Sequence, residues 1–226
     1  MNVLVLEHGR ESYVGLLEAW ANERGHSLVL RHVPTLRRWP SIGTFDLVVC
    51  LGSDASMCEP SEPWIESEVR FLRATHDAKV PLLGICFGAQ ALAVVLGGVV
   101  SRAPTLQIGW ITLEDYDPEV LEPGPWFFWH EDALSLPPGS HQLARSPGGI
   151  AGFQLGQSVG LQFHPEVNER VISSWTRQAE AKLDRDVLHG ALSVKAIAAG
   201  EEGARPRAIA LFDQLESRWG GSRRVP

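Results

Sequence analysis

Apolar and polar residues follow two rhythms along the chain, and the change between them falls near Gly98. Before that point, short apolar runs alternate with stretches of helical spacing. Residues 2–6 read as a buried strand. Residues 13–24 carry helical spacing through Val14, Leu17, Trp20 and Ala21 and stop at Gly25. A second strand is predicted over 27–32 and a third over 44–51, which closes on Gly52, Ser53 and Asp54. Helix 64–76 is amphipathic through Trp64, Ile65, Val69 and Leu72. The apolar run from Val80 ends in Gly84-Ile85-Cys86-Phe87-Gly88, and a helical pattern over 89–96 follows at once. Strands alternating with helices predict an α/β fold with a mostly parallel central sheet and helices on both faces.

After Gly98 the candidate strands are short: 99–101, 107–113, 126–130, 142–145, 150–154 and 158–163, separated by prolines and glycines. They predict an antiparallel extension of the parallel core, with no linker to mark a boundary. His164-Pro165-Glu166 comes next, then a helical pattern over 167–178. Residues 179–226 are helical in composition, broken near Gly190, Gly200 and 203–206. The last helix, 207–218, places Ile209, Leu211, Phe212 and Leu215 on one face, and 220–226 is expected to fray. The organisation predicted is a core over 1–178 and a C-terminal helical extension over 179–226, packed on the same domain.

Composition narrows the partners. A net charge of −7 leaves no basic surface for nucleic acid. Three cysteines without regular spacing argue against a disulfide framework and for a reducing compartment. No Cys-x-x-Cys or His-x-x-x-His pair supports a metal site, and no phosphate-binding glycine loop supports a nucleotide cofactor. The apolar N-terminal stretch is too short for a signal peptide and lacks a basic flank, and no apolar run approaches the roughly 20 residues of a membrane span. The expectation is a cytoplasmic protein without metal, cofactor or membrane contact.

The chemistry starts from Cys86. A strand feeding a helix through so tight a turn lifts the central side chain out of the sheet edge, as a nucleophile elbow does. Glycine on either side removes the bulk that would clash there. Cys86 would stand at a helix N-terminus, where the dipole and free N–H groups favour thiolate. Cys50 and Cys58, by contrast, read as small buried hydrophobes. A cysteine nucleophile needs a base that also protonates the leaving group, and an acid behind the base. Of eight histidines, His164 ends a strand and precedes Pro165, which holds the backbone extended. The imidazole and the Glu166 carboxylate could then face the same side, making a Cys86–His164–Glu166 triad.

Gly84-Ile85-Cys86-Phe87-Gly88-Ala89-Gln90, then Leu96-Gly97-Gly98, then Gly160-Leu161-Gln162-Phe163-His164-Pro165-Glu166, resembles a class I glutamine amidotransferase. Within that family it is most similar to stand-alone chains like the glutaminase domain of GMP synthetase. The resemblance implies hydrolysis of the side-chain amide of glutamine through a cysteine thioester, with ammonia passed to an acceptor. It implies backbone N–H groups from Phe87 and the Gly52-Ser53 loop as the oxyanion hole. Ser53 departs from the Gly-Gly usual there, and a non-glycine cannot flip its peptide as freely. Gln90 matches the glutamine that contacts the substrate's amino-acid end, and Trp129-His130-Glu131-Asp132 matches a motif at the site's rim, giving Gln90 and His130 as substrate-binding candidates. No second catalytic domain is visible, so a separate synthetase subunit is the implied partner.

Three rivals stay open. The same triad could cleave γ-glutamyl peptides or conjugates without a partner. An esterase like dienelactone hydrolase also carries cysteine on its elbow, but its acid precedes the histidine by a long gap, whereas Glu166 follows His164. A catalytically silent binding module is the non-enzymatic reading. Residues 179–226 could cover the core, pair two subunits into a homo-oligomer or dock a synthetase.

Overall fold

A computed structural model describes residues 1–9, 14–179 and 202–220. In chain order its elements are β1 (Asn2–Glu7), α1 (Gly15–Arg24), β2 (Ser27–His32), β3 (Leu47–Cys50), α2 (Ile65–Asp77), β4 (Leu82–Ile85), α3 (Phe87–Val95) and β5 (Val100–Ile111). Then come β6 (Asp115–Tyr116), β7 (Trp126–Leu134), β8 (His141–Ser146), β9 (Gly149–Leu155), β10 (Ser158–Leu161), α4 (Glu169–Ala179) and a last helix, here α5 (Ala204–Gly220).

Eight strands form the main sheet in the order β2-β1-β3-β4-β10-β9-β8-β6. The first five run parallel, and β9, β8 and β6 continue the sheet antiparallel. Successive residues of a strand face opposite sides of a sheet. Val3, Val5, Leu47, Val49, Leu83 and Ile85 accordingly join α1 and α5 in one core, while Leu4, Leu6, Val48, Cys50 and Leu82 join α2 and α3 in the other. Both faces are covered, which is why these strands read as unbroken apolar runs rather than alternating ones.

The second half differs from the strand pattern in two respects. The segments expected at 99–101 and 107–113 are one strand, β5, interrupted by a register shift between Arg102 and Gln107, so the polar gap is an irregularity and not a turn. That strand pairs with β7 in a separate two-stranded sheet, outside the antiparallel extension. The strand expected at 158–163 is the seam of the main sheet: β10 is parallel to β4 on one side and antiparallel to β9 on the other.

Helix boundaries differ from the pattern for identifiable reasons. α4 starts at Glu169, since the Val171 N–H donates to Asn168 Oδ1 at 3.1 Å, an N-terminal cap that the periodicity from 167 does not contain. α5 starts at Ala204 and takes Pro206 into its first turn, where a missing N–H has no intrahelical partner to lose. Ile209, Leu211, Phe212 and Leu215 are buried as their spacing predicts. The helical reading of 180–201 and the fraying of 221–226 lie outside the described residues. Among the described residues, no helix is long and apolar enough to cross a membrane.

α5 lies on α1. The Trp20 indole donates to Asp213 Oδ1 at 3.0 Å, Arg24 forks onto both oxygens of Asp213, and the rings of Trp20 and Phe212 are 5.5 Å apart. Phe212 is 2% exposed within the same core as β1 and β4. Phe212→Ala is therefore expected to lower unfolding free energy by about 3–5 kcal/mol, read from the urea midpoint. A loss under about 1 kcal/mol would mean that α5 is not part of this core.

Candidate active site

One residue separates β4 from α3, and it is Cys86, at φ 53° and ψ −107°. A non-glycine residue at positive φ is held by its surroundings at a cost of order 1–3 kcal/mol. What holds it is close backbone packing. A Cβ on Gly84 would stand 2.4 Å from the carbonyl oxygen of Gly88, and one on Gly88 would stand 2.1 Å from that of Cys50. Neither position tolerates a side chain, so β4, α3 and β3 can close together only with glycine at both. The Cys86 N–H donates to the Leu161 carbonyl at 2.8 Å, fastening the elbow to β10. The thiol is 3.6 Å from the carbonyl oxygen of Trp129, and Cys86 is 6% exposed.

His164 follows β10, and its N–H donates to the Phe127 carbonyl at 2.7 Å, so the small sheet fixes its backbone. Two residues on, the Glu166 carbonyl accepts the N–H of Leu16, at 2.7 Å, in the first turn of α1. Gly15, at φ 51°, makes room for that contact, because a Cβ there would lie 2.0 Å from the Glu166 oxygen. With both backbones held, His164 Nδ1 meets Glu166 Oε1 at 2.7 Å, and the Trp175 ring stands edge-on to the imidazole at 4.8 Å. Burial disfavours a charged His164, but the Glu166 carboxylate, and after it Cys86, outweigh burial and raise the pKa to about 10. The imidazole therefore carries a proton at neutral pH, with Nε2 left for Cys86.

Gly52 packs against this pair. A Cβ on it would be 3.0 Å from His164 Cε1 and 3.8 Å from Cys86 Cβ. Ser53 follows in the loop, its Oγ accepting the Ala55 N–H at 3.1 Å. Phe87 is the first residue of α3, where helix N–H groups have no intrahelical acceptor. Gln90 and His130 converge on one atom: Gln90 Nε2 donates to the Asp132 carbonyl at 3.1 Å, and His130 Nδ1 to the same oxygen at 2.8 Å. Gln90 Nε2 also reaches Gln162 Oε1 at 3.3 Å, and His130 Nε2 lies 3.0 Å from Gln107 Oε1. Burial, aided by the charge on His164, pushes the His130 pKa down to about 4, so this imidazole is neutral. Both side chains are buried in the wall between α3 and β7.

Two features escape sequence reasoning. Trp175 packs on His164 from α4, and no local motif marks it. His8 follows β1 at the carboxyl edge of the sheet, as the Gly52 loop follows β3 and Cys86 follows β4. Its position after a strand is the available signal. His8 Nδ1 lies 3.1 Å from the Gly52 carbonyl oxygen, and Nε2 lies 3.0 Å from each oxygen of Glu68. With Cys50 these form the one group among the described residues whose atoms are spaced as metal ligands would be, within 4.8 Å of one another. The Cys50 thiol already donates to Glu68 at 3.4 Å, and burial, then the charge of Glu68, hold its pKa well above the ordinary range. A protonated thiol is a poor metal ligand.

The family model for class I glutamine amidotransferases matches residues 56–173, which include Cys86, His164 and Glu166. The chain belongs to the class I glutamine amidotransferase family. One component chain of the glutamine-hydrolysing GMP synthase of Ignicoccus hospitalis is 34% identical over 176 residues, covering 74% of this chain and 89% of that one. The glutamine-hydrolysing GMP synthase of Mycolicibacterium paratuberculosis is 33% identical over 174 residues, 73% of this chain and 32% of the relative. That of Aeropyrum pernix is 41% identical over 108 residues, 42% and 21%. The chain thus spans only about a fifth to a third of these two longer synthases. Among solved structures, a glutamine amidotransferase from Thermotoga maritima superposes with a TM-score of 0.83 at 27% identity, covering 98% of each chain.

In this amidotransferase, a thiol at a strained elbow stands with an imidazolium backed by a buried carboxylate, an arrangement chemically suited to acyl transfer. The raised value has a defined pH signature. The His164–Glu166 pair stabilises the fold fully below the ordinary imidazole value of 6.5 and loses that contribution as pH climbs through about 10. NMR titration should find His164 titrating near pH 10, and Glu166→Gln should move it down toward 6.5 or below. An unmoved titration would remove Glu166 as the cause.

Proposed function

We propose that this chain hydrolyses the side-chain amide of glutamine and releases ammonia to a synthetase carried on a separate chain. The observation that supports it most directly is the Cys86 elbow facing a His164 imidazolium held at 2.7 Å by Glu166. Cys86 Sγ bonds to the amide carbon, and the oxyanion that forms is held by the N–H groups of Phe87 and of Ser53 in the Gly52-Ser53 loop. His164 gives the nitrogen a proton, the C–N bond breaks, ammonia leaves and a γ-glutamyl thioester remains. Neutral His164 then takes a proton from water, which adds to the thioester. The C–S bond breaks, and glutamate and the thiolate–imidazolium pair are restored. No step needs a cofactor.

The likeness to one component chain of a GMP synthase, over 89% of that component's length, supports a glutaminase that works with a synthetase on another chain. Gln90 and His130 serve the substrate through the wall they build, joining α3 to the β7 segment whose Trp129 carbonyl approaches the nucleophile. Residues 1–178 are the proposed amidotransferase core and 179–226 its C-terminal extension. Three free cysteines fit a reducing, cytoplasmic setting.

A second reading, hydrolysis of γ-glutamyl peptides or conjugates, draws support from one feature. Trp129 and Trp175 are half-buried beside Cys86 and His164, and such rings can receive a leaving group larger than ammonia. Comparing kcat/KM for glutamine and for γ-glutamyl dipeptides separates the two, and a large preference for the dipeptides would replace the amidotransferase reading.

Cys86→Ala should reduce glutamine hydrolysis by about 10⁴-fold or more while leaving the fold intact. Surviving glutaminase activity would overturn the assignment.

A further inference from the structure

We propose that His8 and Glu68 are positioning residues that fix the Gly52–Ser53 peptide, and through it the oxyanion hole, by a second buried histidine–glutamate pair on the far side of the loop from His164–Glu166. The inference rests on the reading of Gly52-Ser53 as the oxyanion loop.

A carbonyl oxygen can only accept a hydrogen bond, so the 3.1 Å contact to Gly52 O places a proton on His8 Nδ1. The opposite nitrogen is held at 3.0 Å by both oxygens of Glu68, which sets the plane and direction of the ring. The ring is stacked on Trp64 at 5.0 Å and meets Phe87 edge-on at 5.0 Å, so it has no room to turn. Both side chains are 1% exposed.

The peptide between Gly52 and Ser53 is planar and trans, so its C=O and N–H point in opposite directions. Anchoring the oxygen on His8 therefore aims the Ser53 N–H away from His8. The Cα of Gly52 lies against His164 and Cys86, within 3.8 Å of both from a notional Cβ, so the anchored peptide borders the nucleophile. Phe87, the source of the other oxyanion N–H, touches the same His8 ring. One imidazole thus braces both halves of the hole. Simple core packing would not call for this arrangement, since apolar side chains of similar volume fill such a space at no desolvation cost. An oxyanion hole works by donors already aimed before charge develops, which requires a rigid anchor of this kind.

The test exploits the geometry of amide side chains. In His8→Asn, the amide NH₂ stands near the position of Nδ1 and can still donate to Gly52 O. In His8→Gln it stands near Nε2, pairs with Glu68 and leaves Gly52 O without its donor. Glutamine turnover is measured for wild type and both variants, together with the rate of Cys86 alkylation by iodoacetamide, a displacement that forms no oxyanion. His8→Gln is expected to lose about 10²–10³-fold in kcat with KM changed less than about threefold and alkylation less than about twofold, and His8→Asn to recover at least about tenfold of that loss. The proposal is overturned if His8→Gln keeps kcat near wild type, if alkylation falls in step with kcat, or if His8→Asn fails to recover. Wild type that turns over neither glutamine nor γ-glutamyl amides would overturn the functional reading itself, whereas active wild type with an indifferent His8→Gln would remove only the role given to His8.

Discussion

The structure depends on one backbone constraint, the left-handed turn at Cys86. A cysteine does not hold φ 53° unaided, and here three backbone segments hold it: β3 through the carbonyl of Cys50, α3 through Gly88, and β10 through the Leu161 carbonyl. Each approaches closely enough to exclude a Cβ or to make a short hydrogen bond. The strain is therefore borne by the parallel sheet as a whole, and its result is a thiol projecting from the carboxyl edge at the start of a helix.

The rest of the site gathers along that edge because a parallel sheet brings the ends of its strands together. His8 follows β1, Gly52 follows β3, Cys86 follows β4 and His164 follows β10, and these four strands are neighbours in the sheet. Cys86 and His164, far apart in sequence, become neighbours because β4 and β10 pair in register from Leu82–Ser158 to Ile85–Leu161. The two-stranded sheet is an accessory to this edge. Its β7 supplies the carbonyl of Phe127 to His164 and that of Trp129 to Cys86, so it ties both residues to a common support.

How much of this is legible in the sequence follows from the range of the interactions. Local patterns mark the elbow, since Gly84 and Gly88 flank Cys86 within two residues, and His164 with Glu166 is likewise a local pair. The inner strands β1, β3 and β4 are legible because both their faces are buried and their sequences are largely apolar. Non-local pairing is not legible. Nothing in residues 100–134 shows that β5 and β7 leave the main sheet, because the pattern of a strand does not name its partner. His8 escapes a local reading because its partners, Gly52 and Glu68, are 44 and 60 residues away. Asn168 and Pro206, which shift the starts of α4 and α5, act through the presence or absence of single hydrogen bonds, which a periodicity does not contain.

The electrostatics of the site turn on the different partners given to two buried imidazoles, His164 and His130. His164 and His130 are 3% and 6% exposed, so burial presses both toward neutrality. His164 faces a carboxylate, which overcomes that pressure and raises its pKa to about 10. His130 faces the carbonyl of Asp132 and the amide of Gln107, dipoles too weak to do so, and the charge on His164 helps to push it down to about 4. At neutral pH only one of the two therefore carries the extra proton, and it is the one that Glu166 orients and that interacts with Cys86. Setting the two values apart leaves the extra proton on the imidazole that interacts with Cys86. The neutral His130 is left to hold the β7 segment in place, so the charged and the neutral imidazole are distinguished by a single carboxylate.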